Sequence, residues 1–169
     1  MMKTTTRKRF SHKTSAPTTP FNQALKYLSF RSRSVKEMRD YLVKKEYQEE
    51  DVNEAIKQLI ELKFLNDDDF ARQFIESKQK KGKSKKAIEF ELKMKGIRKE
   101  TSQDVMEYAK NDYKTAMEYI SKRLKQFDRY EPEEKQKKII SRLRSRGFDW
   151  DTISKVLKKL TIVESADNI

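Results

Sequence analysis

Residues 88–97, IEFELKMKGI, carry the clearest structural signal in this chain, an amphipathic helix followed by a glycine. Ile88 and Leu92 are four residues apart and therefore lie on one face of a helix. Gly96 follows at the place where the helix should end, a position that often requires positive φ and so favours glycine. Residues 139–148, IISRLRSRGF, show the same order of apolar residues and glycine. We therefore predict two helices that end in the same way.

The pattern also occurs upstream, which makes it a threefold repeat. Leu42, Leu92 and Leu143 are 50 and 51 residues apart, and Glu46 stands where the other two copies have glycine. Further apolar positions align around these helix ends. Directly after each helix end stand Tyr47, Ile97 and Phe148, and in the following helix stand Ala55-Ile56, Val105-Met106 and Val156-Leu157. In a helix before it stand Ala24-Leu25, Phe70-Ala71 and Ala116-Met117. Such periods are typical of stacked helical units that bury apolar faces against one another. We predict an all-α fold of tandem three-helix, helix-turn-helix-like units, stacked into a curved, elongated array.

Local signals place the boundaries of these units. Thr19 followed by Pro20 predicts a helix start, Ser34-x2-Glu37 is a capping-box pattern, and Asn66 precedes three aspartates that suit another start. The chain has only three glycines and three prolines, and no segment shows the alternation of a β-strand. We predict a disordered basic tail, three repeats and a C-terminal tail, at residues 1–19, 20–65, 66–110, 111–161 and 162–169.

Charge is high and unevenly distributed along the chain. There are 40 Lys and Arg against 27 Asp and Glu, a formal net charge of +13, and 35% of the residues are hydrophobic. Four stretches hold 21 of the 40 basic residues and no acidic residue, at 1–20, 26–36, 78–86 and 135–146. Such segregation indicates a basic face for a polyanionic or acidic partner, and the plainer alternative is a Lys-rich solvated surface.

The basic residues occupy comparable places in the first two repeats. They flank the turn between the first and second helices, beside helix N-termini that we expect to be exposed and therefore suited to phosphate or carboxylate. In the third repeat they lie along the second helix, so a continuous basic edge is predicted for two repeats and stays open for the third. The predicted binding residues are Arg31, Arg33, Lys36, Lys78, Lys80, Lys81, Lys83, Lys85, Lys86, Lys135, Lys137, Lys138, Arg142, Arg144 and Arg146.

The chain offers little for catalysis or metal binding. It has no cysteine, and its only histidine, His12, falls in the predicted tail, which argues against thiolate and His-based sites. Gly82-Lys83-Ser84 lacks the upstream glycine and the preceding strand of a phosphate-binding loop, and helix capping explains the aspartates at 67–69. No apolar run approaches the roughly 20 residues of a membrane span. We predict a non-enzymatic protein without cofactor, metal or membrane contact.

Ten aromatic residues lie mostly at positions where apolar side chains recur with helical spacing. We expect them to pack in the core or between repeats rather than to stack on nucleic-acid bases. They are Tyr27, Tyr41, Tyr47, Phe64, Phe70, Phe74, Phe90, Tyr108, Phe148 and Trp150.

Three sequence elements match a known pattern. They are Ala24-Leu25-x-Tyr27-Leu28-x2-Arg31-x-Arg33-Ser34-x2-Glu37-Met38-x2-Tyr41-Leu42, then Leu65-Asn66-Asp67-x2-Phe70-Ala71, then Ile88-x2-Glu91-Leu92-x2-Lys95-Gly96-Ile97. Together they resemble the RecX family, bacterial regulators of the RecA recombinase that are built of tandem three-helix repeats. The resemblance covers about residues 21–161.

The resemblance implies a regulator that binds RecA, particularly the RecA filament on single-stranded DNA, and limits strand exchange, ATP hydrolysis and coprotease function. It implies a part in DNA repair, recombination and the SOS response, a cytoplasmic location and no cofactor. We also expect a monomer. Glu46 departs from the glycine that is usual in the family, which predicts a less tight turn in the first repeat. Relatives from Gram-positive bacteria are often longer, so the chain could be a fragment of a longer protein.

Two other functions stay open at this point. A direct DNA-binding helical repeat protein would act through phosphate contacts, and its affinity would fall steeply with salt. An adaptor would bind an acidic protein with no DNA nearby. The sequence does not distinguish a regulator that caps filament ends from one that lies along the filament groove.

Overall fold

A computed structural model describes the backbone of residues 18–166 and the side chains of residues 18–161. Most of the predicted basic tail at residues 1–19, including His12, lies outside the described residues. The side chains of the predicted C-terminal tail at residues 162–169 lie outside them too.

Residues 18–166 form nine α-helices and one short 3-10 helix, with no strand among them, so the all-α prediction is confirmed. In each unit the first helix packs against the third, which confirms the tandem three-helix arrangement. No helix in this part of the chain is both long enough and apolar enough to cross a membrane. The helices are α1 Pro20–Leu28, α2 Val35–Lys44 and α3 Glu49–Glu61; α4 Asp67–Lys80, α5 Lys85–Met94 and α6 Lys99–Glu107; α7 Asp112–Ser121, the 3-10 helix Leu124–Gln126, α8 Pro132–Arg144 and α9 Trp150–Ala166.

Side-chain caps start several helices where the sequence predicts them. The Thr19 side chain accepts a hydrogen bond from the Asn22 N–H (3.3 Å), and Pro20 occupies the first position of α1. Ser34 and Glu37 form both bonds of a capping box at α2. Such caps satisfy N–H groups that have no partner within the helix, so they define where each helix begins.

Each middle helix is followed, two or three residues after its end, by a residue with positive φ. Gly96 and Gly147 have φ of 78° and 87°, and Glu46 has φ of 63° although it carries a side chain. Behind Gly96 the Ile97 N–H donates to the Leu92 carbonyl (3.1 Å), and the third repeat has the equivalent bond. That bond is absent after Glu46 within the described backbone, so the turn of repeat one is the looser one, as the sequence predicts.

The apolar core is divided among the repeats. Each unit has its own cluster of buried side chains, and the three clusters are separate. Three small cores in place of one large core agree with a chain that is only 35% hydrophobic. Their centres are Met38, Leu42 and Leu59 in repeat one, Ile75, Ile88 and Leu92 in repeat two, and Ile120, Leu143 and Ile153 in repeat three.

The expectation that the aromatic residues pack inside is wrong for four of the ten. Phe64, Phe90, Tyr108 and Trp150 are 53%, 65%, 89% and 57% exposed. Phe90 follows Ile88 by two residues, a rotation of about 200° around the helix axis, so it points away from the core face. Tyr108 and Trp150 lie at helix ends, where fewer neighbours can cover them. The other six belong to the core clusters or pack against them.

Candidate functional site

The N-terminus of α2, which the sequence marks as a possible phosphate site, is occupied by the next repeat. Ser34 is fully buried, accepts a hydrogen bond from the Glu37 N–H (3.1 Å) and donates one to the Lys95 carbonyl (2.8 Å). The Val35 N–H donates to the Asp67 carboxylate (2.9 Å). A carboxylate from repeat two therefore fills the position that an anionic ligand would take.

The same arrangement occurs at the N-terminus of α5. Ser84 is fully buried, accepts from the Ala87 N–H (3.2 Å) and donates its own N–H to the Arg146 carbonyl (3.0 Å). The Lys85 N–H donates to the Asp112 carboxylate (2.8 Å). We call each arrangement a joint: a buried N-cap serine, the N–H behind it, and an aspartate at the start of the next repeat.

The expectation that these two helix N-termini are exposed is therefore wrong. Burial raises the pKa of Asp67 and of Asp112, and the hydrogen bond from the backbone N–H opposes that effect in both. The aspartates lie 32 and 27 residues beyond the N–H groups they bind, in the next repeat. Local sequence patterns cannot show such a contact, which exists only once two repeats have docked.

Close packing of the preceding repeat is a second reason why glycine follows the middle helices of repeats two and three. A Cβ on Gly147 would lie 2.7 Å from the Ser84 Oγ and 2.8 Å from the Ala87 Cβ, across the joint. A Cβ on Gly96 would lie 2.7 Å from the Lys36 Cβ. Both glycines therefore allow the turn and also let the preceding repeat pack against it.

Glu37 holds two of the cations near the first joint. Arg31 donates to both of its carboxylate oxygens (2.9 and 3.2 Å), and the Lys95 Nζ of repeat two donates as well (2.6 Å). Burial opposes the charge of Glu37, but the hydrogen bonds from Arg31 and Lys95 outweigh it and lower its pKa to about 2. The charge of Arg31 is thus balanced within the fold.

The other two predicted cations of repeat one also contact the protein itself. The Arg33 guanidinium lies 3.8 Å from the centre of the Tyr27 ring, and the Arg33 side chain is half-buried. The Lys36 Nζ donates to the Met94 carbonyl (3.2 Å) near the end of α5. These contacts connect neighbouring helices and, in the case of Lys36, neighbouring repeats.

In repeat two, three of the six predicted cations are internal. Lys78 and Lys83 both form ion pairs with Glu91. Burial works against the charge of Glu91, yet the two lysines lower its pKa. The Lys85 Nζ donates to the Met106 carbonyl (3.0 Å). These three lysines therefore hold α4, α5 and α6 together.

The remaining three lysines of repeat two face solvent. Lys80 pairs with Glu76 (2.6 Å), but the two side chains are 71% and 68% exposed, so the pair contributes little. Lys81 and Lys86 are exposed and form no ion pair with any described residue.

In repeat three, Arg146 acts as part of the second joint. Its Nη1 donates to the Lys81 carbonyl (2.6 Å), and its guanidinium lies 4.1 Å from the centre of the Tyr119 ring. Lys135 is only 17% exposed and pairs with Asp128 (3.2 Å). Both side chains are therefore engaged in contacts that stabilise the fold.

The other four cations of repeat three lie on the outside of α8. Lys138 is 3.6 Å from Glu134 in an exposed pair one helical turn away. The Arg144 guanidinium lies 5.8 Å from the centre of the exposed Trp150 ring. Lys137 and Arg142 are exposed and form no ion pair within the described part of the chain.

The structure thus divides the predicted binding residues into two groups. The members of the first hold helices or repeats together: Arg31, Arg33, Lys36, Lys78, Lys83, Lys85, Lys135 and Arg146. The members of the second, which we call the outer cations, are exposed and make at most weak contacts: Lys80, Lys81, Lys86, Lys137, Lys138, Arg142 and Arg144.

Two further exposed lysines of repeat two, Lys93 and Lys99, are not among the predicted binding residues. With Lys86 and Phe90 they line a cleft of about 570 Å³ between α5 and α6, which we call the repeat-two cleft. Acidic residues stand near Lys93 and Lys99 in the chain, so neither lysine lies in a purely basic stretch. The sequence signal for this cleft is the spacing of residues 86, 90 and 93, which places the three side chains on one face of a helix.

Comparison with known proteins gives a consistent result along the chain. Residues 21–59, 66–106 and 111–157 match the models for the first, second and third three-helix domains of RecX. A protein of Bacillus velezensis named regulatory protein RecX is 33% identical over 142 residues, which are 82% of this chain and 54% of that protein. A protein of Prosthecochloris aestuarii with the same name is 32% identical over 142 residues, which are 82% of this chain and 91% of that protein.

A solved structure agrees with these matches. The crystal structure of RecX from Lactobacillus salivarius superposes with a TM-score of 0.68 at 27% identity, covering 85% of this chain and 95% of that one. The chain spans about half the length of the Bacillus relatives it matches. On the three domain matches and the identity to these regulatory proteins, the chain belongs to the RecX family.

Proposed function

We propose that this chain binds the RecA filament on single-stranded DNA and limits its recombinase, ATPase and coprotease activities. The observation that carries the proposal is the match of all three repeats to the domains of RecX, whose curated members are named regulatory proteins. The proposal places the chain in the cytoplasm, where RecA acts on DNA, and treats it as a binding protein without chemistry of its own.

The outer cations support this function because they suit a partner that carries negative charge. They come from two different repeats and lie on helices or directly after one, whereas the other predicted cations already contact carboxylates, carbonyls or aromatic rings of the fold itself. Lysine and arginine on such a surface attract phosphate and acidic protein surfaces over a distance of about one Debye length, roughly 8 Å at physiological salt.

The joints support a bridging mode of inhibition. They fix one repeat against the next through partly buried hydrogen bonds, so cations on separate repeats keep their spacing. A rigid array of this kind can contact neighbouring RecA protomers at once in the filament groove. Bridged protomers would then resist the motions that accompany filament growth and ATP hydrolysis.

The test is RecA-dependent ATP hydrolysis on single-stranded DNA, titrated with the chain. We expect hydrolysis to fall to a plateau as the chain is added, with an apparent affinity that weakens as salt is raised. Unchanged hydrolysis at a concentration well above that of RecA would show that the chain alone is not the inhibitor.

Direct DNA binding is the second candidate, and the lack of protein partners for Lys81, Lys86, Lys137 and Arg142 favours it. Binding to single-stranded DNA in the absence of RecA would weaken log-linearly with salt, with a slope near 0.7 for each phosphate contacted. If DNA binding without RecA is tight at physiological salt, this candidate replaces the first; if binding is detectable only at low salt, the regulator remains the better account.

A further inference from the structure

Position 102 differs between the repeats in a way that packing does not explain. The equivalent residues of repeats one and three, Val52 and Ile153, are fully buried aliphatic core residues. In repeat two the position is Ser102, which is 3% exposed and whose Oγ has no hydrogen-bond partner. A buried hydroxyl without a partner destabilises a fold, so its presence at a core position points to a role outside folding.

Ser102 lies at the base of the repeat-two cleft. The cleft has a volume of about 570 Å³, which is large enough for one planar ring system and its attached groups. Buried Ile97 forms an apolar part of its lining, and Phe90, which is 65% exposed, provides an aromatic face. The unpartnered hydroxyl and the exposed ring therefore belong to the same concave surface.

The rim of the cleft is basic. Lys86, Lys93 and Lys99 line it, all three are exposed, and none forms an ion pair with a residue in the described part of the chain. Glu89 is the one acidic residue in the described lining. The excess of positive charge fits an anionic ligand.

Three features of the cleft are confined to the second repeat: the Ser102 hydroxyl, the Phe90 ring and the Lys99 charge. The other two lysines are shared in part, since Lys86 aligns with Lys36 and Lys137 and Lys93 aligns with Arg144. Where repeat two has Phe90, repeats one and three have Asp40 and Ser141, and where it has Lys99 they have Glu49 and Trp150. The combination of hydroxyl, ring and three lysines therefore occurs in one unit and is not dictated by the three-helix scaffold.

We propose that the repeat-two cleft binds one nucleotide of a single-stranded nucleic acid. The base packs against Phe90 and accepts or donates a hydrogen bond at Ser102, while the phosphates on either side contact Lys86, Lys93 and Lys99. A nucleobase is flat, apolar on its faces and polar at its edge, so it satisfies the ring and the hydroxyl together.

An acidic peptide is the other anionic ligand that a basic cleft could take. Its carboxylates would suit the three lysines, but an apolar side chain inserted over Ile97 would leave the Ser102 hydroxyl without a partner. The combination of hydroxyl, ring and cations therefore favours the nucleotide. The proposal does not depend on RecA, so it can fail while the regulator function stands.

The test compares two labelled oligonucleotides of about 15 nucleotides by fluorescence anisotropy with the full chain. One carries thymine at every position and the other has the same phosphates with abasic sugars. We expect the base-bearing strand to bind roughly tenfold more tightly, since stacking of one base is worth about that factor.

Ser102→Val is the decisive variant because it introduces the residue of repeat one at the same position. It removes the unpartnered hydroxyl and fills the base of the cleft, so its melting temperature should equal or exceed that of the parent chain. The ratio of its affinity for the base-bearing strand to its affinity for the abasic strand should fall to near one. The same ratio should fall to near one for Phe90→Ala. Lys93→Ala and Lys99→Ala should weaken both strands alike and reduce the salt slope by about 0.7 each.

Equal binding of the two strands by the parent chain would overturn the proposal. So would a full preference for bases in Ser102→Val. A glutamate- and phenylalanine-containing peptide that displaces the base-bearing strand at lower concentration than unlabelled strand does would assign the cleft to protein ligands instead.

Discussion

Replacing Glu37 with glutamine removes one negative charge from the contact between the first two repeats. Glu37 is 14% exposed and bonds Arg31 (2.9 Å) from its own repeat and Lys95 (2.6 Å) from the next. Glutamine at this position can still accept the Ser34 N–H that completes the capping box, so the change isolates the charge.

The magnitude follows from the pKa of Glu37. Its fall from the usual 4.5 to about 2 corresponds to roughly 3.4 kcal/mol at 1.36 kcal/mol per pKa unit. Arg31 and Lys95 are 48% and 34% exposed, so solvent screens much of this energy, and we expect Glu37→Gln to cost about 1–2 kcal/mol at pH 7. For a chain of this size the melting temperature should fall by about 3–6 °C.

The sign of the pH dependence is also determined. The pKa of Glu37 is lower in the folded protein than in the unfolded chain, so its contribution is complete above pH 4.5 and is lost as the pH falls towards about 2. Thermal unfolding by circular dichroism should therefore separate the variant from the parent chain at pH 7 and bring them together as the pH approaches about 2.

Glu76→Gln is the matched control, because Glu76 pairs with Lys80 at 2.6 Å but both side chains are largely exposed. It removes the same charge and should change the melting temperature little. If the two variants melt at the same temperature, or if the effect of Glu37→Gln is the same at low pH, then Glu37 does not stabilise the joint by its charge.

Four other substitutions, at three positions, test the turns after the middle helices and the joints by thermal or urea unfolding. Glu46→Gly should stabilise the chain by about 0.5–1 kcal/mol, because φ of 63° favours glycine there; a loss of stability would show that the Glu46 side chain makes an important contact. Gly147→Ala should cost about 2–3 kcal/mol, since the new Cβ meets the preceding repeat and takes φ of 87°; a loss below 0.5 kcal/mol would mean that the joint yields easily. Asp112→Ala should cost about 1–2 kcal/mol by removing the partner of the Lys85 N–H. Asp112→Asn should match or exceed the parent chain at pH 7, because burial raises the pKa of Asp112 and disfavours its charge, and this advantage should shrink as the pH falls towards 3.8; an Asn variant as unstable as the Ala variant would contradict that reasoning.

The fold could be predicted because its signals are local. Ser34 and Glu37 lie within one turn of a helix, and Gly96 follows directly on the helix it ends, so short-range hydrogen bonding and backbone sterics decide both features. The spacing of Leu42, Leu92 and Leu143 then reports the repeat, since each unit buries the same positions.

Which cations have partners inside the fold and which face solvent could not be predicted in this way. Whether Lys83 is a surface charge or a partner of Glu91 depends on how helices pack, and whether Arg146 is free depends on where the second repeat presents the Lys81 carbonyl. Phe90 is a different case. Its position two residues after Ile88 already places it on the outer face of α5, and the period that was used to find the core also excludes Phe90 from it.

The measurement that tests the regulator function most directly is inhibition of RecA ATP hydrolysis on single-stranded DNA by three forms of the chain at near-physiological salt. The first is the parent chain, and the second replaces the outer cations Lys80, Lys81 and Lys86 with alanine. The third removes the same charge from exposed lysines outside the predicted surface, Lys57, Lys122 and Lys125. We predict inhibition by the first and third forms and a loss of at least tenfold in potency for the second. Equal potency of all three forms would contradict the account, because inhibition would then not depend on the outer cations of repeat two.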